Sequence, residues 1–248
     1  MVKAIIKIDQ ICRDFSVGSE TVRALKGVDI TINPGEFVTI MGTSGSGKST
    51  LLNILGCLDR PTRGEYYLDG TAVSSMNRNQ LAVMRNRKIG FIFQSYNLLS
   101  RTTALENVEL PLFYNPEISN DERCRRAEVA LDAVGLKDRR FHKPNQLSGG
   151  QQQRVAIARA LVNDPVVLLA DEATGNLDTR TSYEIMALFQ DLNKKGRTIV
   201  FVTHEADIAM FSSRSIRLRD GKIISDRKIE KVASAAEALA GLPKDEEI

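Results

Sequence analysis

The 248-residue sequence has no tryptophan, two histidines and three cysteines. Cys12, Cys57 and Cys124 are odd in number and scattered without metal-ligand spacing, which excludes a zinc or disulfide scaffold and leads us to expect a reduced cytosolic setting. No apolar run approaches the roughly 20 residues of a membrane-spanning helix, and Met1-Val2-Lys3-Ala4-Ile5 lacks a signal-peptide pattern. Work at a membrane would therefore require other chains to span it. A dominant charge is missing too: 34 Lys and Arg face 31 Asp and Glu, giving +3 with no long basic block. Nucleic acid is not expected as a partner. With no internal repeat and no low-complexity linker, the length suits one compact unit with subdomains.

Val2 to Ile11 and Gly27 to Ile32 alternate apolar and polar residues, the second ending at Asn33-Pro34-Gly35, and predict a small antiparallel sheet near the N-terminus. Phe37 to Met41 is a short apolar run that feeds a glycine-rich loop. Beyond it, Leu51, Leu52, Ile54, Leu55 and Leu58 recur at helical spacing. Further strands are expected at Gly64–Leu68, closed by Asp69-Gly70, and at Ile89–Phe93. From about Thr103 to Gly135 the pattern is mostly helical, with Ala127, Val129, Ala130, Leu131 and Val134 as its apolar face. Val155, Ala156, Ala158, Ala160 and Leu161 predict another helix that stops before Asp164-Pro165. Strands at Val166–Ala170 and Thr198–Val202 flank a helix over about Ser182–Asn193. Strands alternating with helices imply an α/β fold with a mainly parallel sheet covered on both faces. From Lys228 the chain is Ala- and Lys-rich up to Lys244-Asp245-Glu246-Glu247, and an exposed helix or frayed tail is expected.

Gly42-Thr43-Ser44-Gly45-Ser46-Gly47-Lys48-Ser49-Thr50 matches G-x-x-x-x-G-K-[ST] between a strand and a helix. The glycines let backbone N–H groups wrap an anion at the positive helix end. Lys48 would reach the outer phosphates and the Ser49 hydroxyl would ligate Mg²⁺. Asp171-Glu172 emerges at the C-terminal end of an apolar strand, where open parallel sheets place ligands. Asp171 would hold Mg²⁺ through water and Glu172 would orient the attacking water, although an acidic pair there also suits a helix start. In Leu147-Ser148-Gly149-Gly150-Gln151, the Ser148 hydroxyl and the bare N–H groups of Gly149 and Gly150 suit a γ-phosphate, aided by a helix beginning near Gln151. The same donors would cap that helix.

This pentapeptide, downstream of a phosphate loop and ahead of an acidic pair, resembles the ATP-binding cassette ATPases over about Ile5 to Ile224. The resemblance implies a P-loop NTPase core of RecA-like type, an N-terminal antiparallel β subdomain and an inserted α-helical subdomain. Residues 1–95 and 160–226 would form the core with the β subdomain, 96–159 the helical subdomain and 227–248 the tail. It implies ATP and Mg²⁺ as ligands, and ATP hydrolysis in a site completed by the pentapeptide of a second copy. Gln94 becomes the sensor glutamine touching Mg²⁺ and water, with the residues after it facing the membrane partner. His204 becomes the switch histidine, though a lone histidine is otherwise structural; His142 reads as a surface residue. Phe15 either stacks on adenine or is a core phenylalanine. Asp178, in Gly175-Asn176-Leu177-Asp178, is the candidate for contact across the dimer. Ala173 departs from the proline usual in the family, which frees the backbone after Glu172.

Within the family, Gly56-Cys57-Leu58-Asp59-Arg60-Pro61-Thr62, Leu105-Glu106-Asn107-Val108-Glu109-Leu110-Pro111-Leu112 and Thr174-Gly175-Asn176-Leu177-Asp178 resemble the branch of macrolide exporters and lipoprotein-releasing systems. The expected partners are a second copy, an integral-membrane permease and, as a further candidate, a periplasmic adaptor; the expected place is the cytoplasmic face of the cell membrane. The substrate class would be macrolide, peptide or lipoprotein. The alternatives are the cassette of a solute importer and a soluble cassette in DNA or translation processes. Glu172 and His204 together disfavour a non-hydrolysing regulatory cassette.

Overall fold

The computed structural model describes residues 3–243, so Val2 and the closing run Lys244-Asp245-Glu246-Glu247 lie outside the described residues. Two sheets organise it. The first is antiparallel: β1 (Ile6–Val17), β2 (Glu20–Ile32), β4 (Arg63–Leu68) and β5 (Thr71–Ala72), in the order β2-β1-β4-β5. β1 and β2 run further than their alternation predicts, because a bulge at Gln10 (φ 49°) shifts the inward register from Ile8 to Ile11. The bulge lets the backbone N–H and amide of Gln10 donate to Asp29 at 2.7 and 2.5 Å, and bulges bend a strand in this way.

The second sheet has six strands in the order β10-β9-β3-β8-β7-β6. Here β3 (Phe37–Met41), β6 (Ile89–Phe93), β7 (Val167–Asp171) and β8 (Thr198–Thr203) are mutually parallel, and β9 (Arg214–Arg219) runs parallel to β3. Every residue of β3 and β8 is buried, as expected of parallel strands covered on both faces. β10 (Lys222–Lys228) closes the edge as an antiparallel hairpin with β9. That hairpin adds to the expected elements, and residue 226, the expected limit of the core, falls inside β10.

Helix α1 (Lys48–Leu55) buries Leu51, Leu52, Ile54 and Leu55 against one face of this sheet. Leu58, expected on the same stripe, lies beyond the Gly56 C-cap and is 48% exposed. α2 (Arg78–Lys88) is a second unexpected element: it buries Leu81 alone and is fixed by a capping box from Asn77 and Gln80. On the other face, α3 (Ala104–Glu109), α4 (Asn120–Ala133), α5 (Gly149–Leu161) and α6 (Thr179–Lys194) share one apolar core with Phe37 and Phe201. Phe189 of α6 meets Phe201 edge-on at 5.4 Å, a favoured aromatic geometry. The stretch expected to be mostly helical is broken between α3 and α4 by a 3₁₀ turn over Leu110–Tyr114. Ala127, Ala130, Leu131 and Val134 are buried as expected, but Val129 points outward and is 60% exposed.

A short α7 (Ala206–Ala209) follows β8, and α8 (Ala235–Ala240) ends the described chain. α8 is not the exposed appendage expected. Ala235 is fully buried, and Gln190 of α6 donates to the carbonyls of Phe211 and Ala233 while accepting from the Ala235 N–H.

Candidate active site

The loop between β3 and α1 is shaped by its glycines. Gly45 and Gly47 sit at φ 76° and 103°, where residues with a Cβ are strained. A Cβ on Gly42 would collide with the Leu218 carbonyl and Ser46 Oγ, and one on Gly47 would stand 2.7 Å from the Ala24 carbonyl. The turn between β9 and β10 supports the loop from outside: the Gly221 N–H donates to the Ser46 carbonyl at 3.0 Å, and the Lys26 N–H to the Gly221 carbonyl at 2.9 Å. Lys48, 9% exposed, donates from Nζ to the carbonyls of Gly42 (2.7 Å) and Thr43 (2.9 Å).

This loop lines a cleft of 870 Å³ together with Thr43, Ser44, Ser49, Thr50, Glu172 and His204. The cleft is closed by Val22, Arg23, Ala24 and Lys26 of β2 and by Asp220-Gly221. These six were missed in the sequence reading. The Asp220-Gly221 pair between two alternating segments was a usable hairpin signal, whereas nothing in β2 marks it as a cleft wall.

Glu172 leaves β7 with φ 45° and its N–H bonded to the Val202 carbonyl at 2.9 Å. That conformation turns its carboxylate to His204, whose Nδ1 lies 3.0 Å from Oε1. Ala173 follows it, 2% exposed and packed in the core. Burial, and then the neighbouring Glu172 charge, hold the Asp171 carboxyl above its usual range, while Lys48 opposes them. Two carboxylates beside a phosphate loop, with the nearest amine turned to carbonyls, form a site that a cation would relieve. Among the described residues no three His, Cys, Asp or Glu converge on one point. The donor set of Asp171 and the exposed Ser49 hydroxyl therefore fits Mg²⁺ carried on phosphate, which takes one or two protein ligands and keeps several waters.

The remaining expected residues stand away from this cleft. Ser148 caps α5, with Oγ accepting from the Gln151 N–H at 3.3 Å and Gln151 Oε1 from the Ser148 N–H at 3.0 Å. Gly149 and Gly150 form the first turn of α5. Asp178 caps α6 by accepting from the Thr181 hydroxyl at 2.6 Å and its N–H at 2.9 Å, and these bonds hold its carboxyl below the usual range. Gln94 donates to Asn176 Oδ1 at 3.3 Å while its carbonyl accepts from Asn176 Nδ2 at 3.1 Å. Phe15 is 37% exposed with Arg13 over its ring at 4.3 Å, so it is not a core residue; its cross-strand partner Val22 lines the cleft. His142 pairs with Arg139 at 3.0 Å.

A family model described as ABC transporter matches residues 25–175. The chain belongs to the ABC transporter family. This ABC protein is 56% identical over 221 residues to an uncharacterized ABC transporter ATP-binding protein of Thermotoga maritima, covering 89% of this chain and 94% of that one. It is 49% identical over 245 residues to the macrolide export ATP-binding/permease protein MacB of Bradyrhizobium diazoefficiens, covering 99% of this chain and 37% of MacB. The chain thus spans little more than a third of that relative. Among solved structures, the ATP-binding cassette MJ0796, a dimer in a post-hydrolysis state bound to ADP and Pi, superposes with a TM-score of 0.83 at 48% identity, covering 91% of this chain and 99% of that one. The fold is accordingly that of a P-loop ABC cassette, and this ABC protein is an ATP-binding, ATP-hydrolysing transporter subunit.

Proposed function

We propose that two copies of this cassette close over two ATP molecules and that the closure drives export through a partner permease at the cytoplasmic face of the membrane. The observation that carries this reading is the separation within one chain: the phosphate loop, Glu172 and His204 line the cleft, while Ser148, Gly149 and Gly150 present helix-start donors outside it. Donors of that kind suit an anion, and a second copy would bring them to the γ-phosphate. Lys48 would release the Gly42 and Thr43 carbonyls to bind the outer phosphates, with Ser44, Gly45, Ser46, Gly47 and Thr50 framing them and Phe15 beside the base. Mg²⁺ would neutralise developing phosphoryl charge, held by Ser49 and Asp171 with Gln94 recruited from Asn176. Glu172, steadied by His204, would orient the attacking water. Asp178 would meet the partner copy.

Support for the dimer comes from MJ0796, which is dimeric, and support for export from the MacB relatives. A groove of 680 Å³ beside α2 and the 3₁₀ turn, lined by exposed Leu58, Val83 and Tyr114 with Phe91 and Phe93, suits a segment of the permease. Macrolide, peptide or lipoprotein is the substrate class in view, with a periplasmic adaptor as further partner. Replacing Glu172 with Gln is expected to lower ATP turnover at least about 10²-fold while ATP binding persists and an ATP-dependent dimer accumulates in light scattering. Unchanged turnover would reject the role of Glu172, and particles that stay single under saturating ATP and Mg²⁺ would reject the sandwich.

A further inference from the structure

Tyr96 and Asn97 follow Gln94 by two and three residues and both adopt left-handed backbone, φ 56° and 50°. Such a pair is unfavourable for residues with a Cβ and persists only where the surroundings hold it. The holder is Arg159 on α5: Nη2 donates to the Tyr96 carbonyl at 2.7 Å and Nη1 to the Asn97 carbonyl at 2.5 Å. A planar fork can meet two successive carbonyls, which a lysine amine on a single stem does less well. The Tyr96 side chain runs toward the other end of α5. A Cβ on Gly149 would stand 3.0 Å from the Tyr96 Oη and 3.4 Å from a Leu177 methyl, so the phenol abuts the first residue of the helix. Gly149 and Arg159 are ten residues apart, about 15 Å along the axis, and Tyr96 connects them from outside the helix. Asn97 and Arg159 also line the 680 Å³ groove.

We propose that Tyr96, clamped by Arg159, is a positioning residue that ties the Gln94 segment to the γ-phosphate donors at the start of α5, so that closure on ATP at Gly149 and occupancy of the groove are felt at each other. This rests on the two-copy reading above. The phenol makes no hydrogen bond among the described residues, so it acts as a spacer by contact, and its Oη is the atom that reaches Gly149. Linkage makes the coupling reciprocal: whatever fixes the segment fixes the donors.

The test uses the chain carrying Glu172→Gln, which would retain the ATP-bound pair. Adding Tyr96→Ala is expected to raise the ATP concentration for half-dimerisation in light scattering by about tenfold. Arg159→Lys should act in the same direction, and Tyr96→Phe, which removes the Oη that reaches Gly149 and keeps the ring, should raise the midpoint by less than Tyr96→Ala. A ribose-labelled fluorescent ATP should bind each dilute single subunit equally well, which also verifies that the variants fold. In hydrogen–deuterium exchange, the peptide over residues 95–99 should gain protection with Mg²⁺ and ATP in the Glu172→Gln chain and lose that gain with Tyr96→Ala. Equal midpoints and equal protection in Tyr96→Ala would overturn the proposal. A Glu172→Gln chain that never dimerises would instead overturn the sandwich itself, and the relay with it.

Discussion

A buried amine needs acceptors, and Lys48 finds them in its own loop, at Gly42 and Thr43. Its charge is thereby stored at the point where phosphate would take over. Of the candidate site residues, those in contiguous motifs were legible because the motif fixes both residue type and backbone shape. The resemblance marks His204 as the switch histidine, but its 3.0 Å approach to Glu172 goes with the left-handed turn at Glu172, which no residue type there announces. Cys57 illustrates a buried group that the chemistry leaves aside. Burial pushes its thiol from 9.0 up to about 12, with Arg85 opposing. The folded chain therefore holds this proton to higher pH than the unfolded chain, so Cys57 costs no stability below about pH 9 and lowers it progressively from there to about pH 12. Denaturant midpoints measured across that range should fall, and should fall less steeply in Cys57→Ala. Some slope should remain, since burial raises the Tyr66 phenol as well. At pH 8, iodoacetamide should leave Cys57 unmodified until the chain is unfolded.

Helices and strands were legible in proportion to how much apolar surface they bury. β3, β7 and β8 are continuous apolar runs because both faces are covered, and α6 shows its stripe through Ile185, Met186, Phe189 and Leu192. α2 escaped because Leu81 is its one buried residue and its last turn is Arg85, Arg87 and Lys88. The β9–β10 hairpin escaped because only Ile216 and Leu218 are buried among alternating arginines. Polar groups inside elements are harder still to read. Asn107 of α3 is fully buried, and its amide organises the preceding loop: Oδ1 accepts from the Leu99 N–H at 2.7 Å, while Nδ2 donates to Thr102 Oγ1 at 2.8 Å and the Thr103 carbonyl at 2.9 Å. Asn107→Ala should strand these partners and cost about 1–3 kcal/mol in chemical denaturation. Faster amide exchange at Leu99 than at β8 would locate the damage in the loop; a uniform change would mean that α3 packing, not the amide, was lost.

The cleft beside the phosphate loop is built from parts far apart in the chain: β2 of the antiparallel sheet, the loop before α1, the ends of β7 and β8, and the β9–β10 turn. The two sheets also meet there directly, through Lys26 and Gly221. A ligand held by all of these stabilises the molecule as a whole, by RT ln(1 + [L]/Kd), or about 2.7 kcal/mol at a hundredfold excess over Kd. ATP and ADP should therefore both raise Tm in one cooperative transition, and Lys48→Ala should shrink both shifts. The γ-phosphate separates the two ligands at the next level. If it bridges the cleft of one copy to Ser148 and Gly149 of another, association is linked to folding by mass action, and the Tm of Glu172→Gln with Mg²⁺ and ATP must climb as protein concentration rises. With ADP the same chain should melt at a temperature independent of its own concentration. Calorimetric scans at several protein concentrations decide the point: a concentration-independent Tm with ATP would mean that a single copy holds the triphosphate unaided.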